Sequence, residues 1–372
     1  MTSSPLQQSS LDRLYLERAY ELAARGIGNT APNPPVGAVV VREGRIVGEG
    51  YHHRAGEAHA EINALKRAGG AARGATLYLS LEPCAHAGRV PACAPIVARA
   101  GVARVVCGVA DPNPRNRGAG IAYLRERGIA VDVTDDARAS ELVEIFAGFI
   151  AKRRPYVALK MAMSLDGAIA ARPGVQQWLT SDPARSYVRE LRVAYDAVMV
   201  GAGTVRVDDP FLTVRPSYRR LRPFVRVVAC ETGTIPAESR VFAAIAGYGP
   251  TIVLAPRGLE SQFDNVREIA EVLLIGDASS RRLDLQAAME GLRDAGVCSV
   301  LCEGGPTLGA RLIAAGLVDR FYWAIAPRLL HNELAVPVLA GADLAAVQPR
   351  LRFDRVLRVG DDVVIAGKVD DV

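Results

Sequence analysis

Short apolar strand patterns alternate with helical ones, twice over and with a charged break between, and this constrains the 372-residue chain more than any other feature. The first series opens with VGAVVV (36–41) and RIVGEG (45–50), two strands whose Glu43-Gly44 connection is a hairpin signal. Apolar residues at helical spacing follow over AHAEINALKRAG (58–69). Then come a strand at TLYLSL (76–81), a helix at APIVARAG (94–101), a strand at RVVCGVA (104–110), a helix at AGIAYLRERG (119–128), and a last strand and helix through 150. Alternation this dense predicts a sheet with helices on both faces. Lys152-Arg153-Arg154-Pro155 is both the one tight basic run and a breaker, and it predicts a seam between domains at 1–151 and 152–372. Beyond it YVALKMAMSLDG (156–167) restarts with an alternating strand. DAVMVG (196–201), FVRVVAC (224–230), TIVLA (251–255), VLLIG (272–276), CSVLCEGG (298–305) and FYWAIAP (321–327) supply the strands of a second α/β domain.

Composition narrows the function classes. Net charge is +5, but aromatic residues make up only 6% of the chain. Nucleic-acid readers carry a basic stripe with interleaved aromatics, so the charge suits anionic small molecules and no nucleic-acid partner is expected. The N-terminal MTSSPLQQSSLDRLYLERAY lacks the apolar core of a signal peptide. No stretch approaches the roughly 18 unbroken apolar residues of a membrane span, so no membrane association is expected. Six cysteines do not make a disulfide framework. Cys107, Cys230, Cys298 and Cys302 sit in or beside strand-like runs and read as buried thiols in a reducing, cytoplasmic compartment.

Cys84 and Cys93 are different. Four of the five histidines (His52, His53, His59 and His86) fall between positions 52 and 86, in the same stretch. His59-Ala60-Glu61 opens a predicted helix, Cys84 follows a strand ending in Leu81-Glu82-Pro83, and Cys93 opens the next helix, so both thiolates can point back at His59. Thiolates are favoured near helix N-termini. A structural zinc takes four protein ligands, whereas three with a carboxylate alongside leave a position for water, whose pKa zinc lowers to about 7. We therefore expect one zinc ion per chain on His59, Cys84 and Cys93, with Glu61 as general acid and base. Enzymes that hydrolyse an amino group off a nucleobase ring carry H-x-E…P-C-x-x-C; here eight residues separate the cysteines instead of two.

Three segments carry a family resemblance: Pro32-Asn33-Pro34-Pro35-Val36-Gly37-Ala38-Val39, Gly50-Tyr51-His52 through His59-Ala60-Glu61, and Leu81-Glu82-Pro83-Cys84-Ala85-His86-Ala87-Gly88-Arg89-Val90-Pro91-Ala92-Cys93. The chain resembles the bifunctional riboflavin-biosynthesis deaminase/reductases over essentially its whole length. The resemblance implies an α/β protein, with a cytidine-deaminase-like three-layer domain followed by a dihydrofolate-reductase-like α/β domain. It implies zinc-dependent deamination of a phosphorylated ribosylaminopyrimidine and NADPH reduction of its ribosyl group, in a homo-oligomer. Asn33, His52, His86 and Arg89 would hold the pyrimidine and its ribose phosphate; on the residues alone, Asn33 also reads as a turn residue and Arg89 as solvated loop charge.

Family motifs recur in the second half as Leu159-Lys160, Ser164-Leu165-Asp166-Gly167, Gln177-Trp178-Leu179-Thr180 and Gly203-Thr204-Val205 through Asp208-Asp209-Pro210, then Leu212-Thr213. By position, Ala162, Trp178, Thr204, Asp208 and the turn Gly305-Pro306-Thr307-Leu308 would contact NADPH. Arg192, Leu212, Arg215 and Glu303 would contact the substrate, the arginine forks being suited to phosphate. Lys160 would be the catalytic polar group near the ribose. Without the resemblance these signals are weaker. Gly201-Ala202-Gly203-Thr204-Val205-Arg206 lacks the last glycine of a dinucleotide fingerprint and could be a tight turn. Glu303-Gly304-Gly305-Pro306 could be an anion site or plain helix capping, and Trp178 reads as core.

The chain also departs from the family. Ala85 replaces Ser, and Val90 and Ala92 replace Thr and Pro. Arg115-Asn116-Arg117-Gly118-Ala119-Gly120 replaces Leu-Val-x-Gly-x-Gly, and Gln176 stands for Ser. Cys230-Glu231 replaces Asp-Ser near the cofactor ribose, where a carboxylate would repel a 2′-phosphate. These changes open a second reading, a paralogue that deaminates a related pyrimidine or pteridine-like metabolite with a weakened or absent reductase.

Overall fold

Glu43 and Gly44 both take positive φ in the computed structural model, 52° and 74°, the turn geometry whose twist matches the two strands it joins. The structure describes residues 5–214, 220–231 and 235–370. They divide into two units, with the division between Arg153 and Arg154.

In the first unit β1 (Gly37–Arg42) lies antiparallel to β2 (Arg45–Tyr51) and to β3 (Thr76–Leu79). Strands β4 (Arg104–Cys107) and β5 (Ala130–Val133) continue the sheet in parallel, giving the order β2-β1-β3-β4-β5. Alternate residues of each strand serve opposite faces. Ala38, Val40, Leu77, Leu79 and Val105 pack on α2 (Ala60–Ala68), α3 (Cys93–Arg99) and α4 (Ala119–Arg125) through Ala64, Leu65, Val97 and Leu124. Val39, Val41, Tyr78 and Val106 pack on α1 (Pro5–Ala24) and α5 (Ala137–Leu142) through Tyr15, Leu16, Tyr20 and Ala139. Helix α6 (Glu144–Lys152) ends the unit.

Helix α1 has no counterpart in the sequence-based expectation. Its apolar residues Tyr15, Leu16, Ala19, Tyr20 and Ala23 do recur at helical spacing, but a Gln/Ser-rich start hides the pattern. It approaches the sheet so closely that a Cβ on Gly37 would lie 2.0 Å from the Ala19 carbonyl oxygen.

The second unit holds a nine-stranded sheet in the order β11-β10-β9-β8-β12-β6-β13-β16-β15. From β6 (Tyr156–Ser164), the ribbon strand β7 (Ala168–Ala170) and α7 (Asp182–Leu191), the chain reaches β8 (Ala197–Gly201) and α8 (Ala202–Asp208). It then steps outward through β9 (Phe224–Ala229), β10 (Tyr248–Pro256) and β11 (Ala270–Ile275). After α9 (Leu285–Asp294) it returns as β12 (Ser299–Cys302), which inserts between β8 and β6, and continues into α10 (Pro306–Ala314) and β13 (Arg320–Ala326). The seven strands β11, β10, β9, β8, β12, β6 and β13 run parallel, and apolar clusters cover both faces of the sheet, which is why most of them read as apolar runs. Strand β14 (Val336–Pro337) pairs with β7.

The sequence reading lacks the final hairpin, β15 (Leu351–Val359) and β16 (Asp362–Val369), which adds two antiparallel strands at the edge. A bulge between Phe353 and Arg355 breaks its period-two pattern. Because β12 returns beside β8, the helices α8 and α10 start at neighbouring strand ends, the crevice where open parallel sheets bind ligands.

Candidate active sites

His59 is the N-cap of α2, with extended backbone (φ −71°, ψ 167°), Cys93 is the first residue of α3, and Cys84 lies on the loop after β3. His59 Nδ1 lies 3.6 Å from Cys84 Sγ and 3.2 Å from Cys93 Sγ, and all three ligand atoms fall within 4.8 Å of one another. Tetrahedral zinc, with bonds of about 2.3 Å to sulfur and about 2.0 Å to nitrogen, spaces such ligands roughly 3.5–3.8 Å apart. The set therefore fits zinc. Hydrogen bonding between the sulfurs, helped by His59, holds Cys84 as a thiolate with a pKa of about 4. The Cys93 backbone N–H also donates to Cys84 Sγ at 3.3 Å.

Glu61, on the first turn of α2, is only 4% exposed, and burial raises its carboxyl pKa against the opposing influence of His59. His52 is buried with its ring edge-on to His59, centroids 5.0 Å apart. Its Nδ1 lies 3.2 Å from the Ala58 carbonyl oxygen, which can only accept, so Nδ1 carries the proton and Nε2 accepts from Asn33 Nδ2 at 3.0 Å. Burial pushes the His52 pKa down to about 4, so the ring is neutral. Asn33, His52, His59, Glu61, Cys84 and Cys93 thus gather at one place. His86 and Arg89 stand exposed on the loop between the cysteines.

Two residues that fix this site carried no assigned role in the sequence. The Glu82 carboxylate is buried and accepts from four backbone N–H groups: Asp111 and Gly118 at Oε2 (both 3.0 Å), Gly120 and Ile121 at Oε1 (3.0 and 3.3 Å). Asn116 Oδ1 accepts from the Ala85 N–H at 2.7 Å, and its Nδ2 donates to Asp111 Oδ2 at 2.9 Å. Gly120 is required there, since a Cβ would meet the Pro83 carbonyl oxygen at 1.9 Å.

In the second unit Arg192, just after α7, pairs with Glu303, just after β12, through two hydrogen bonds of 2.6 and 3.0 Å. Lys160, on β6, shares their electrostatic neighbourhood. Burial lowers its pKa, Glu303 opposes that shift and Arg192 adds to it. Burial alone would raise Glu303, but Arg192 and Lys160 together hold it below its ordinary range.

Gly305 caps α10 without a side-chain acceptor, and Pro306 occupies the first turn, ahead of Thr307 and Leu308. A Cβ on Gly305 would lie 3.6 Å from Thr204 Oγ1, so the starts of α8 and α10 adjoin. Asp208 ends α8, and burial raises its pKa. Ala162 lies on β6 opposite Ala324. Trp178 is 64% exposed, with the Arg185 guanidinium 5.2 Å from its ring centroid, so it is not core. The Leu212 side chain points into the apolar core at φ 52°, leaving its backbone for any ligand. Arg215 lies outside the described residues. Glu231 Oε1 accepts from Arg311 at 2.5 Å and from the Leu283 N–H at 2.7 Å.

Residues 155–365 match the family described as the RibD C-terminal domain, and residues 9–109 match the cytidine and deoxycytidylate deaminase zinc-binding region. The chain belongs to the RibD family. It is 39% identical over 369 residues to the riboflavin biosynthesis protein RibD of Escherichia coli K12, covering 95% of this chain and 98% of that protein. It is similar to the solved deaminase/uracil reductase of Thermotoga maritima, with TM-score 0.84, 33% identity, and 97% and 99% of the two chains covered. The Acinetobacter baumannii RibD structure gives TM-score 0.83 and 32% identity over 97% and 99%.

As a RibD, the chain is a zinc deaminase fused to a pyrimidine reductase of riboflavin biosynthesis. Its cytidine-deaminase-like unit precedes a dihydrofolate-reductase-like one, as the motifs implied, and the reductase half implies a nucleotide cofactor. Among the described residues no helix is long and apolar enough to cross a membrane, and all six cysteines are free.

Proposed function

We propose that the first unit deaminates 2,5-diamino-6-(ribosylamino)pyrimidinone 5′-phosphate and that the second reduces the ribosyl group to ribityl with NADPH. The observation that carries the first step is the three-ligand cluster with a buried carboxylate beside it and, among the described residues, no fourth protein ligand. Zinc held by His59, Cys84 and Cys93 would supply Lewis acidity and lower the pKa of water. Glu61 takes the proton from the attacking water and returns it to the departing amine. Neutral His52 and Asn33 orient the ring and ribose, while His86 and Arg89 receive the phosphate.

For the second step, NADPH supplies the hydride. The N-terminus of α10, at Gly305, Pro306, Thr307 and Leu308, holds its pyrophosphate with Thr204, and Ala162, Trp178 and Asp208 complete the contacts. Glu231 does not argue against NADPH, because Arg311 balances its charge. Lys160 holds a proton beside the ribose. Arg192, Arg215, Glu303 and the Leu212 backbone bind the substrate. Phosphorylated metabolites as ligands and six free thiols fit a reducing, cytoplasmic setting. We also assign a homo-oligomer that forms through the edge strand β15, where Phe353 and Val356 are 61% and 63% exposed.

The test is Glu61→Ala in the full chain, reading ammonia release and NADPH consumption separately. Ammonia release should be lost while reduction of the deaminated intermediate continues. Loss of both activities in a folded, zinc-loaded variant would overturn the two-site reading.

A further inference from the structure

We propose that Asn116 is a positioning residue for the metal site, holding the backbone that follows Cys84 and thereby setting zinc affinity. The proposal rests on the assignment of His59, Cys84 and Cys93 as the zinc ligands. Asn116 is 4% exposed and belongs to a segment that contributes no ligand. Its amide reaches in two directions. Oδ1 accepts from the N–H of Ala85, the residue directly after the ligand Cys84, at 2.7 Å. Nδ2 donates to Asp111 Oδ2 at 2.9 Å, and Asp111 Oδ1 is braced by the Asn113 N–H at 2.8 Å.

Each end of this link is anchored separately. The Cys84 carbonyl accepts from the N–H groups of Cys93 and Ala94, both at 3.0 Å, and the Asp111 N–H donates to Glu82. One amide therefore ties the ligand loop to a rigid turn. The residue at 85 is Ala, which brings no side-chain polar group of its own, so the side-chain contact to this stretch of backbone comes from Asn116. Groups that orient metal ligands from outside the coordination sphere typically change affinity 10–100-fold when removed.

The experiment is zinc competition against a chromophoric chelator, using the full chain. Asn116→Val removes both hydrogen bonds and should weaken zinc binding by about 10–100-fold. If that variant does not fold, Asn116→Ser is too short to bridge Ala85 and Asp111 and carries the same expectation. The double exchange Asp111→Asn with Asn116→Asp keeps every hydrogen bond and the net charge, with donor and acceptor reversed between the two side chains. It should bind zinc within about threefold of the parent, a rescue that simple loss of packing would not produce. Parent-like affinity in the Val or Ser variant, or a double exchange as weak as the single one, would overturn the positioning role. A folded parent that binds no zinc would instead overturn the ligand assignment beneath it.

Discussion

Arg192→Leu tests how the second unit keeps opposite charges out of water. The Arg192 and Glu303 side chains are 12% and 11% exposed and meet through two hydrogen bonds, and Arg192 Nη1 also donates to the Thr213 carbonyl at 2.6 Å. Breaking a buried pair from one side costs about 3–5 kcal/mol, because the other charge is stranded. Lys160 still faces Glu303, so the lower end applies, about 3 kcal/mol. For a unit of this size that is a fall in Tm of roughly 6–12 °C.

The chain's two tryptophans, Trp178 and Trp323, both lie in the second unit, so tryptophan emission on heating the full protein reads that unit alone. The pH dependence has a definite sign. Glu303 is held below its ordinary value of 4.5 when folded, so its contribution is present above that value and is lost as pH falls through the depressed pKa. In the variant, burial without Arg192 raises the same carboxyl. The gap in Tm should therefore be full at pH 7 and should close as pH falls, first through the variant's raised pKa and then through the parent's depressed one. A gap as wide at pH 4 as at pH 7, or one below about 2 °C throughout, would refute the reasoning.

Two further outcomes follow from other parts of the chain. Glu82→Gln keeps the shape but turns one oxygen into a donor facing backbone N–H groups, losing two of four charge-assisted hydrogen bonds. A local cost of about 3 kcal/mol corresponds to roughly 10²-fold faster hydrogen exchange at Asp111, Gly118, Gly120 and Ile121; unchanged exchange would show that the carboxylate does not hold the loop. Phe353→Glu should convert the proposed oligomer to monomer by light scattering, since the residue is exposed on the edge strand; an unchanged mass would remove β15 from the interface.

The chemistry was legible where it depends on spacing along the chain. His59 and Glu61 share the start of a helix, and Cys93 opens another, so their convergence follows from element order alone. The supports were not legible, because each joins distant residues through groups that have no pattern. Glu82 meets Gly120 across 38 positions and Ala85 meets Asn116 across 31. Arg192 and Glu303 were each read as substrate contacts, but they stand 111 positions apart and nothing between marks them as partners of one another. Helix α1 and the final hairpin escaped for local reasons, a polar opening in one and a bulge in the other.

Residues 85–92 are bracketed by two ligands of one ion, so the metal works on them as a clasp as well as on the reaction. A cassette fastened at both ends can change its side chains while Glu61 and His59 stay put on their helix. Under the proposed assignment His86 and Arg89 ride on that cassette, so departure of the ion would release them at the moment the chemistry stops.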